Sequence, residues 1–269
     1  MNISIHKPFS ISEIGKRINN EDYIYPHMES ENINDKLFLV CDGVGGSNRG
    51  EVASALACDS IQTYFQTFVE ADKEFEIDFI EKAIRYTEIR FDEYIQENSS
   101  AKGMATTLCL LYIAPEGIFI THAGDSRIYQ FRDGQIIFKT EDHSLVYSML
   151  KSGRIDAADA RNHPQKNIIY RAIQGTEKPV DIDVIHLTDI QPDDSFLLCT
   201  DGVLESFSDD DLSSLFAESL TTEERLAKIK DVCRIKSRDN YSAYLISIQE
   251  IEKASVFRQV MTSFLYAFV

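Results

Sequence analysis

Basic residues are scarce in this chain. Its 269 residues include 27 Lys and Arg against 44 Asp and Glu, a net charge of −17. That balance excludes a general nucleic-acid binder, whose affinity rests on a cationic surface, and argues against adhesion to anionic membranes. Cysteine is sparse and unpaired in sequence. Cys41, Cys58, Cys109, Cys199 and Cys233 form no CxxC, and several lie in apolar runs (LFLVC, TLCLLY, FLLC). They read as buried free thiols of a reducing compartment, with the wrong spacing for a soft-metal site. No run reaches the ~18–20 apolar residues of a membrane helix. The opening MNISIHKPFSISEIGKR lacks the continuous apolar core of a signal peptide, so the expected setting is cytoplasmic. The 6 Pro and 12 Gly are too thinly spread to mark a linker, and no repeat is evident. The length and the 43% hydrophobic content suit one large domain or two small ones with an ordinary core.

Short apolar, β-branched runs predict strands at Leu37–Cys41, Thr106–Ile113, Ile118–His122, Ile128–Phe131, Ile136–Phe138, Val180–Leu187, Ser195–Cys199 and Tyr241–Ile248. Arg132-Asp133-Gly134 is a hairpin turn between two of them. Helical periods cover Gly50–Glu70, with Val52, Leu56, Ile61, Phe65 and Phe68 roughly on one face, and Ile77–Gln96. Two more helices are expected near Asp209–Ala217 and Thr222–Ile235, the second opened by a Thr-Thr-Glu-Glu capping signal. Strands joined by short turns, without βαβ alternation, favour an antiparallel α+β arrangement. Segment 143–171 is polar and locally helical (Ser144–Lys151, Asp156–Arg161) and reads as a mobile flap.

The chemistry lies in carboxylates. Glu21-Asp22, Asp42-Gly43, Asp125-Ser126, Asp201-Gly202 and Asp239-Asn240 are scattered along the chain yet similarly placed. Phe38-Leu39-Val40-Cys41-Asp42-Gly43 and Leu197-Leu198-Cys199-Thr200-Asp201-Gly202 both run an apolar strand into Asp-Gly, which puts a carboxylate at a sheet edge and lets a backbone carbonyl approach an ion. Each piece alone is consistent with a turn or a surface ion pair. Together they form an oxygen-only donor set suited to Mg²⁺ or Mn²⁺. Arg17, four to five residues before Glu21-Asp22, offers a fork for a phosphate beside such ions.

From Ser10 to Ile248 the chain resembles the type 2C (PPM) metal-dependent Ser/Thr protein phosphatases. Gly103-Met104-Ala105-Thr106-Thr107, Asp142-His143-Ser144 and Tyr170-Arg171-Ala172-Ile173-Gln174-Gly175 add to the likeness. The resemblance implies a four-layer αββα sandwich of two antiparallel sheets flanked by helices. It also implies two Mn²⁺ or Mg²⁺ ions and a weaker third, with phosphoserine and phosphothreonine hydrolysed by a metal-bridging hydroxide. On this pattern Asp42 bridges the two ions and the Gly43 carbonyl ligates one. Asp201 and Asp239 hold the other, Glu21 and Asp22 lie on the Gly43 side, and Asp125 with Asp201 serves the third. Arg17 grips substrate phosphate, and Asn240 orients Asp239 or a metal-bound water. Eukaryotic members often carry a histidine after the Asp-Gly; here that position is Val44, so a metal-bound water is expected to protonate the leaving group. Gly45-Gly46 and His163-Pro164 are bacterial in style.

The partners so implied are phosphorylated proteins and the Ser/Thr kinase that makes them, with no nucleic acid. The rivals are a phosphoprotein-binding pseudophosphatase and a hydrolase of small phosphate esters. A cysteine-based route has no CxxxxxR loop to use. His122 and His143 read as structural, His143 anchoring the flap, and Met149, Arg154 and Arg161 as solvated flap surface. The expected division is a catalytic domain over 1–249 and an amphipathic tail over 250–269. Val256, Phe257, Val260, Met261, Phe264, Leu265 and Phe268 form the tail's apolar stripe, which packs on the parent domain, docks a partner or a second subunit, or attaches to a membrane surface.

Overall fold

The computed structural model describes residues 2–44, 49–69, 75–156, 159–160 and 163–252. In chain order the strands and helices are β1 (Asn2–Ile5), β2 (Phe9–Glu13), β3 (Asp22–Tyr25), β4 (Leu37–Asp42), α1 (Gly50–Phe68), α2 (Ile77–Glu97), β5 (Leu108–Ala114), β6 (Gly117–Ala123), β7 (Arg127–Arg132) and β8 (Gln135–Lys139). There follow α3 (Leu145–Lys151), β9 (Ile185–Leu187), β10 (Ser195–Cys199), α4 (Asp201–Leu204), α5 (Asp209–Phe216), α6 (Thr222–Lys236) and β11 (Tyr241–Glu252). One sheet has the order β1-β11-β10-β7-β8, with β2 also paired to β11; the other runs β3-β4-β5-β6-β9. All pairings are antiparallel.

Strand alternation explains the layering. In β10, Phe196 and Leu198 face the other sheet and meet Phe38, Val40, Leu111 and Ile120 in a core between the sheets. Leu197 and Cys199 point the opposite way, toward Leu212, Phe216, Leu226 and Ile229 of α5 and α6. On the far side Leu39, Cys41, Leu108 and Leu110 meet α1 and α2 through Ala57, Ile61, Ile80 and Phe91. Both faces of each sheet are therefore covered, which is why the central strands read as unbroken apolar runs. Each large aliphatic side chain buried in this way contributes roughly 1.5–3 kcal/mol. The four layers are those that the resemblance implied.

Three departures have physical causes. Strands β1, β2 and β3 are too short and too mixed in polarity to stand out in sequence, and their partners β11 and β4 define them. Of Val180–Leu187 only Ile185–Leu187 is strand. The Val180 amide donates to Glu88 Oε1 (2.6 Å), and Val180, Ile182 and Val184 pack on the α1–α2 core. Helix α1 buries Ala53, Ala57, Cys58, Ile61 and Phe65, whereas Phe68 is 54% exposed; small residues let the helix lie close on the sheet. The Asp133-Gly134 turn has positive φ at both residues (50° and 75°) and joins β7 to β8 as expected. Thr221 and Glu224 form the expected capping box at α6. Strand β11 extends to Glu252, where it pairs with Asn2. The tail stripe from Val256 onward, Gly45-Gly46 and Arg161 lie outside the described residues.

Candidate metal centre

The antiparallel register brings the separate acidic motifs to one end of the sandwich. Asp22 opens β3 and is paired directly with Asp42, the last residue of β4, so the two side chains share a face. Asp125 sits in the β6–β7 turn, Asp201 begins α4 just after β10, and Asp239 precedes β11. Glu21 is tied in through its backbone, which accepts from the Gly43 amide (2.9 Å) and from Ser54 Oγ (2.6 Å). Gly43 must be glycine: a Cβ there would fall 2.3 Å from the Gly50 carbonyl, where α1 begins. The Glu21 carboxyl stands over that same helix start, 3.1 Å from where a Gly50 Cβ would be.

The carboxyls repel one another in a recess. Asp22 is buried, while Asp42, Asp125 and Asp201 keep partial contact with solvent although protein crowds them on most sides. Burial first, then neighbouring Asp22, Asp201 and Asp125, raises the Asp42 carboxyl well above the usual range. Asp201 is raised in the same way by burial, Asp125 and Asp239. Burial pushes Asp22 up to about 7 against the opposing Ser242 and Thr200 hydrogen bonds, and burial with Asp142 pushes Asp125 up to about 6. Such unpaired charge is costly unless a cation neutralises it.

Backbone and hydroxyl groups hold the acids. Thr107 Oγ1 accepts from the Asp42 amide (3.0 Å) and meets Ser126 Oγ (2.8 Å) beside Asp125, while Thr106 Oγ1 donates to the Asp42 carbonyl (2.9 Å). Thr200 Oγ1 donates to Asp22 Oδ2 (3.0 Å). The other oxygen, Asp22 Oδ1, is buried without a hydrogen-bond partner among the described residues. Arg17 Nη2 donates to Asp239 Oδ2 at 2.5 Å and also feels Asp201 and Glu21.

Asn240 does more than orient Asp239. Its Oδ1 accepts from the Glu21 amide (3.0 Å), and its Nδ2 donates to the carbonyls of Ile14 (2.8 Å) and Asn19 (2.9 Å). Only its backbone amide reaches Asp239, at Oδ1 (2.9 Å). It is the tie that fixes the Arg17 loop to the start of β11.

Among the described residues no three Asp, Glu, His or Cys side chains converge as a finished ligand cage. Two of the acids have oxygens engaged by Arg17 and Thr200. The donor chemistry nevertheless fits a hard divalent cation: every candidate atom is oxygen, Asp22 Oδ1 is orphaned, and among the described residues Arg17 forms an ion pair with Asp239 at the edge while Arg127 and Lys166 only partly offset Asp125. A groove of about 800 Å³ lies elsewhere, around His6, Phe131, Phe216 and Arg225, and contains none of these residues.

The protein phosphatase 2C family profile matches residues 12–232. The chain belongs to that family. It is 32% identical over 194 residues to the serine/threonine phosphatase Stp of Listeria monocytogenes, a match covering 71% of this chain and 76% of that protein. The structure of serine/threonine phosphatase Stp1 from Staphylococcus aureus superposes with a TM-score of 0.78 at 29% identity, over 93% of this chain and 98% of that one. The catalytic domain of the phosphatase PstP, solved with two manganese ions, has the same fold (TM-score 0.74, 24% identity, 93% and 100% covered).

Some parts of this phosphatase 2C site gave little warning. Thr200 and Thr107 are ordinary threonines until the fold sets them against Asp22 and Asp42. His122 and His143 are stacked at 4.4 Å, with His122 Nε2 on the Glu141 carbonyl (2.8 Å) and the His143 amide on the Gly124 carbonyl (2.8 Å). Burial, then His122 and Arg171, pushes His143 down to about 4. Arg127 grips Asp142 with two bonds (2.5 and 2.8 Å). In the flap, Lys166 Nζ pairs with Glu205 (2.8 Å), which also accepts from the Arg238 amide (3.0 Å).

Proposed function

We infer that this protein is a metal-dependent phosphatase of phosphoserine and phosphothreonine in proteins, of the bacterial PPM type, opposing a Ser/Thr protein kinase. The observation that carries the reading is the convergence of Asp22, Asp42, Asp125, Asp201 and Asp239 at one end of the sandwich, mutually repelling and bordered by a half-exposed Arg17. Relatives above 30% identity that bear the name serine/threonine phosphatase support the same reaction.

Asp42, the Gly43 carbonyl, Glu21 and Asp22 would hold one Mn²⁺ or Mg²⁺. Asp201 and Asp239, with Asp42 shared, would hold a second, and Asp125 with Asp201 a weaker third. When bound, such ions supply Lewis acidity that makes water a nucleophile at neutral pH and offsets charge on phosphoryl oxygens. The chain's own groups then do the positioning. Arg17 offers its guanidinium to the phosphate, exchanging part of its bond to Asp239 for a bidentate grip. Thr200, Thr107 and the Asn240 tie keep the carboxylates and the Arg17 loop from relaxing apart, so little reorganisation is needed at the moment of reaction. The position after Gly43 is Val44 rather than a histidine, and His122 and His143 stack on each other and meet the Glu141 carbonyl and Arg171.

Among the described residues no helix is long and apolar enough to cross a membrane. The five free, buried thiols suit a reducing cytoplasm, and the apolar tail over 250–269 is proposed to dock a partner or the domain itself.

The test is hydrolysis of a phosphothreonine peptide by the purified chain with EDTA, Mg²⁺ or Mn²⁺, beside Asp201→Asn. Turnover restored by metal and absent from the variant is the expected result. A folded protein that binds the peptide but hydrolyses it with neither Mg²⁺ nor Mn²⁺ would make it a phosphoprotein-binding module instead.

A further inference from the structure

The mouth of the acidic recess is cationic, on a chain that is otherwise short of cations. Loop Ile14–Asn20 and segment Ile235–Asn240 are locked together there. Gly15, at φ 60°, packs so tightly that a Cβ would fall 2.0 Å from the Asp239 carbonyl oxygen. Asn240 holds the carbonyls of Ile14 and Asn19, and Lys16 Nζ donates to the Ile235 carbonyl at the end of α6 (3.2 Å). From this fixed backbone Lys16, Arg17, Ile18, Ile235, Lys236 and Arg238 all project exposed.

Elsewhere on α6, Lys228 pairs with Glu218, Lys230 with Glu13 and Arg234 with Asp231, while Arg225 turns inward to the Leu215 and Glu218 carbonyls and the Phe216 ring. Among the described residues Lys16, Lys236 and Arg238 form no ion pair. Complementing the helix dipole accounts for Lys236 in the last turn and for Lys16 on its carbonyl. It does not account for Arg238, which lies beyond the helix, nor for Ile18 at 103% and Ile235 at 70% exposure.

We propose that this lip binds the polypeptide beside the phosphorylated residue and selects phosphopeptides whose flank is acidic and carries an apolar side chain. The proposal rests on the phosphatase reading above. Its physical basis is local. At physiological ionic strength charges are screened beyond about 8 Å, so the lip cations, not the net −17, set the field that a bound peptide's flank feels. Ile18 and Ile235 then give an apolar side chain a surface to cover. Exposed ion pairs are individually weak, about 1.5- to 5-fold each, so losing two cations is expected to cost roughly tenfold in KM with kcat little changed.

Two phosphothreonine peptides, identical except for Glu or Gln beside the phosphoresidue, are compared on wild type, Lys236→Gln/Arg238→Gln and Ile18→Ser, with a small aryl phosphate as the flankless control. The expected result is a lower KM for the Glu peptide that rises about tenfold in the double variant and weakens with salt, while aryl phosphate hydrolysis is unchanged. Ile18→Ser, on a fully exposed loop position, raises KM for both peptides. Equal KM for the two peptides on wild type, or a preference that the double variant keeps, overturns the proposal. Binding of the same labelled peptides by anisotropy judges the lip apart from turnover. Aryl phosphate left intact by the metal-loaded wild type would sink the phosphatase reading, whereas Glu and Gln peptides bound equally well would sink the lip.

Discussion

Asp194 precedes strand β10 and Asp201 follows it, so the two mark opposite ends of the same sandwich. Asp194 is fully buried and completely answered: Arg132 donates to both oxygens (2.8 and 2.9 Å), Gln130 Nε2 adds a third bond and the Gln191 amide a fourth (both 2.9 Å). Among the described residues no cation is ion-paired with Asp201, and burial together with Asp125, Asp239 and Asp22 raises its carboxyl. Arg132 is bonded directly to the acid at one end, whereas at the other Arg17 pairs with Asp239 at the edge and Arg127 and Lys166, paired with Asp142 and Glu205, act on Asp125 only through space. Carboxylates placed for stability come with their counter-charges; the uncompensated set is the one that needs ions from solution.

The hardest blow to this contrast would be an active Asp201→Asn enzyme. Losing a ligand oxygen is expected to lower kcat/KM at least about a thousandfold, ~4 kcal/mol in barrier, while the metal-free protein unfolds no earlier because one repelling charge is gone. Steady-state assay and thermal unfolding of the same preparation check both halves.

Asp194→Asn should do the reverse. It weakens a buried pair and leaves Arg132 poorly answered, which is expected to cost about 3 kcal/mol of stability, with turnover per folded molecule unchanged. Denaturant unfolding decides it, and a stable but inactive variant would erase the distinction between the two ends.

The response to pH sharpens the comparison further. Asp22 (about 7) and Asp125 (about 6) are raised above an unfolded value near 3.9. Folded protein therefore binds more protons across that window, and the stability they contribute is present below about pH 4 and lost as pH rises to 7. His143 works the other way: held at about 4 against ~6.5 unfolded, its contribution is present above about 6.5 and lost as pH falls toward 4. With more acids than imidazoles involved, EDTA-treated protein should melt several degrees lower at pH 8 than at pH 5. Mn²⁺ should raise the pH 8 midpoint more than the pH 5 one. Equal midpoints at both pH values in EDTA would show that the acids are compensated after all.

The smallest effect is expected at the flap. The pair Lys166–Glu205 is part-exposed, so Lys166→Gln should change kcat/KM less than about fivefold. A larger loss would move Lys166 from tether to substrate contact.

Much of the metal end was legible because its signal is local. A strand running into Asp-Gly announces itself within six residues, as at Phe38–Gly43 and Leu197–Gly202, and the α6 capping box is a four-residue pattern. The Asp194 network had no such mark, since Arg132 and Asp194 are far apart in sequence and meet only through the β7–β10 pairing. Helix α1 misled for a related reason: its periodicity gave Phe68 to the apolar face, but its packed stripe is set by the alanines that let it approach the sheet.

By itself, then, the sequence determined the kind of chemistry, because oxygen donors, a forked cation and unbroken apolar strands are properties of residue types and short spacings. Tertiary structure decided which of those groups act together. Antiparallel register put Asp22 beside Asp42, left Asp22 Oδ1 without a partner among the described residues, made the Asn240 side chain the tie of the Arg17 loop while its amide holds Asp239, and stacked His122 on His143. The reason is that charge and hydrogen-bond energies depend on distances of a few ångströms between segments that the chain order keeps far apart.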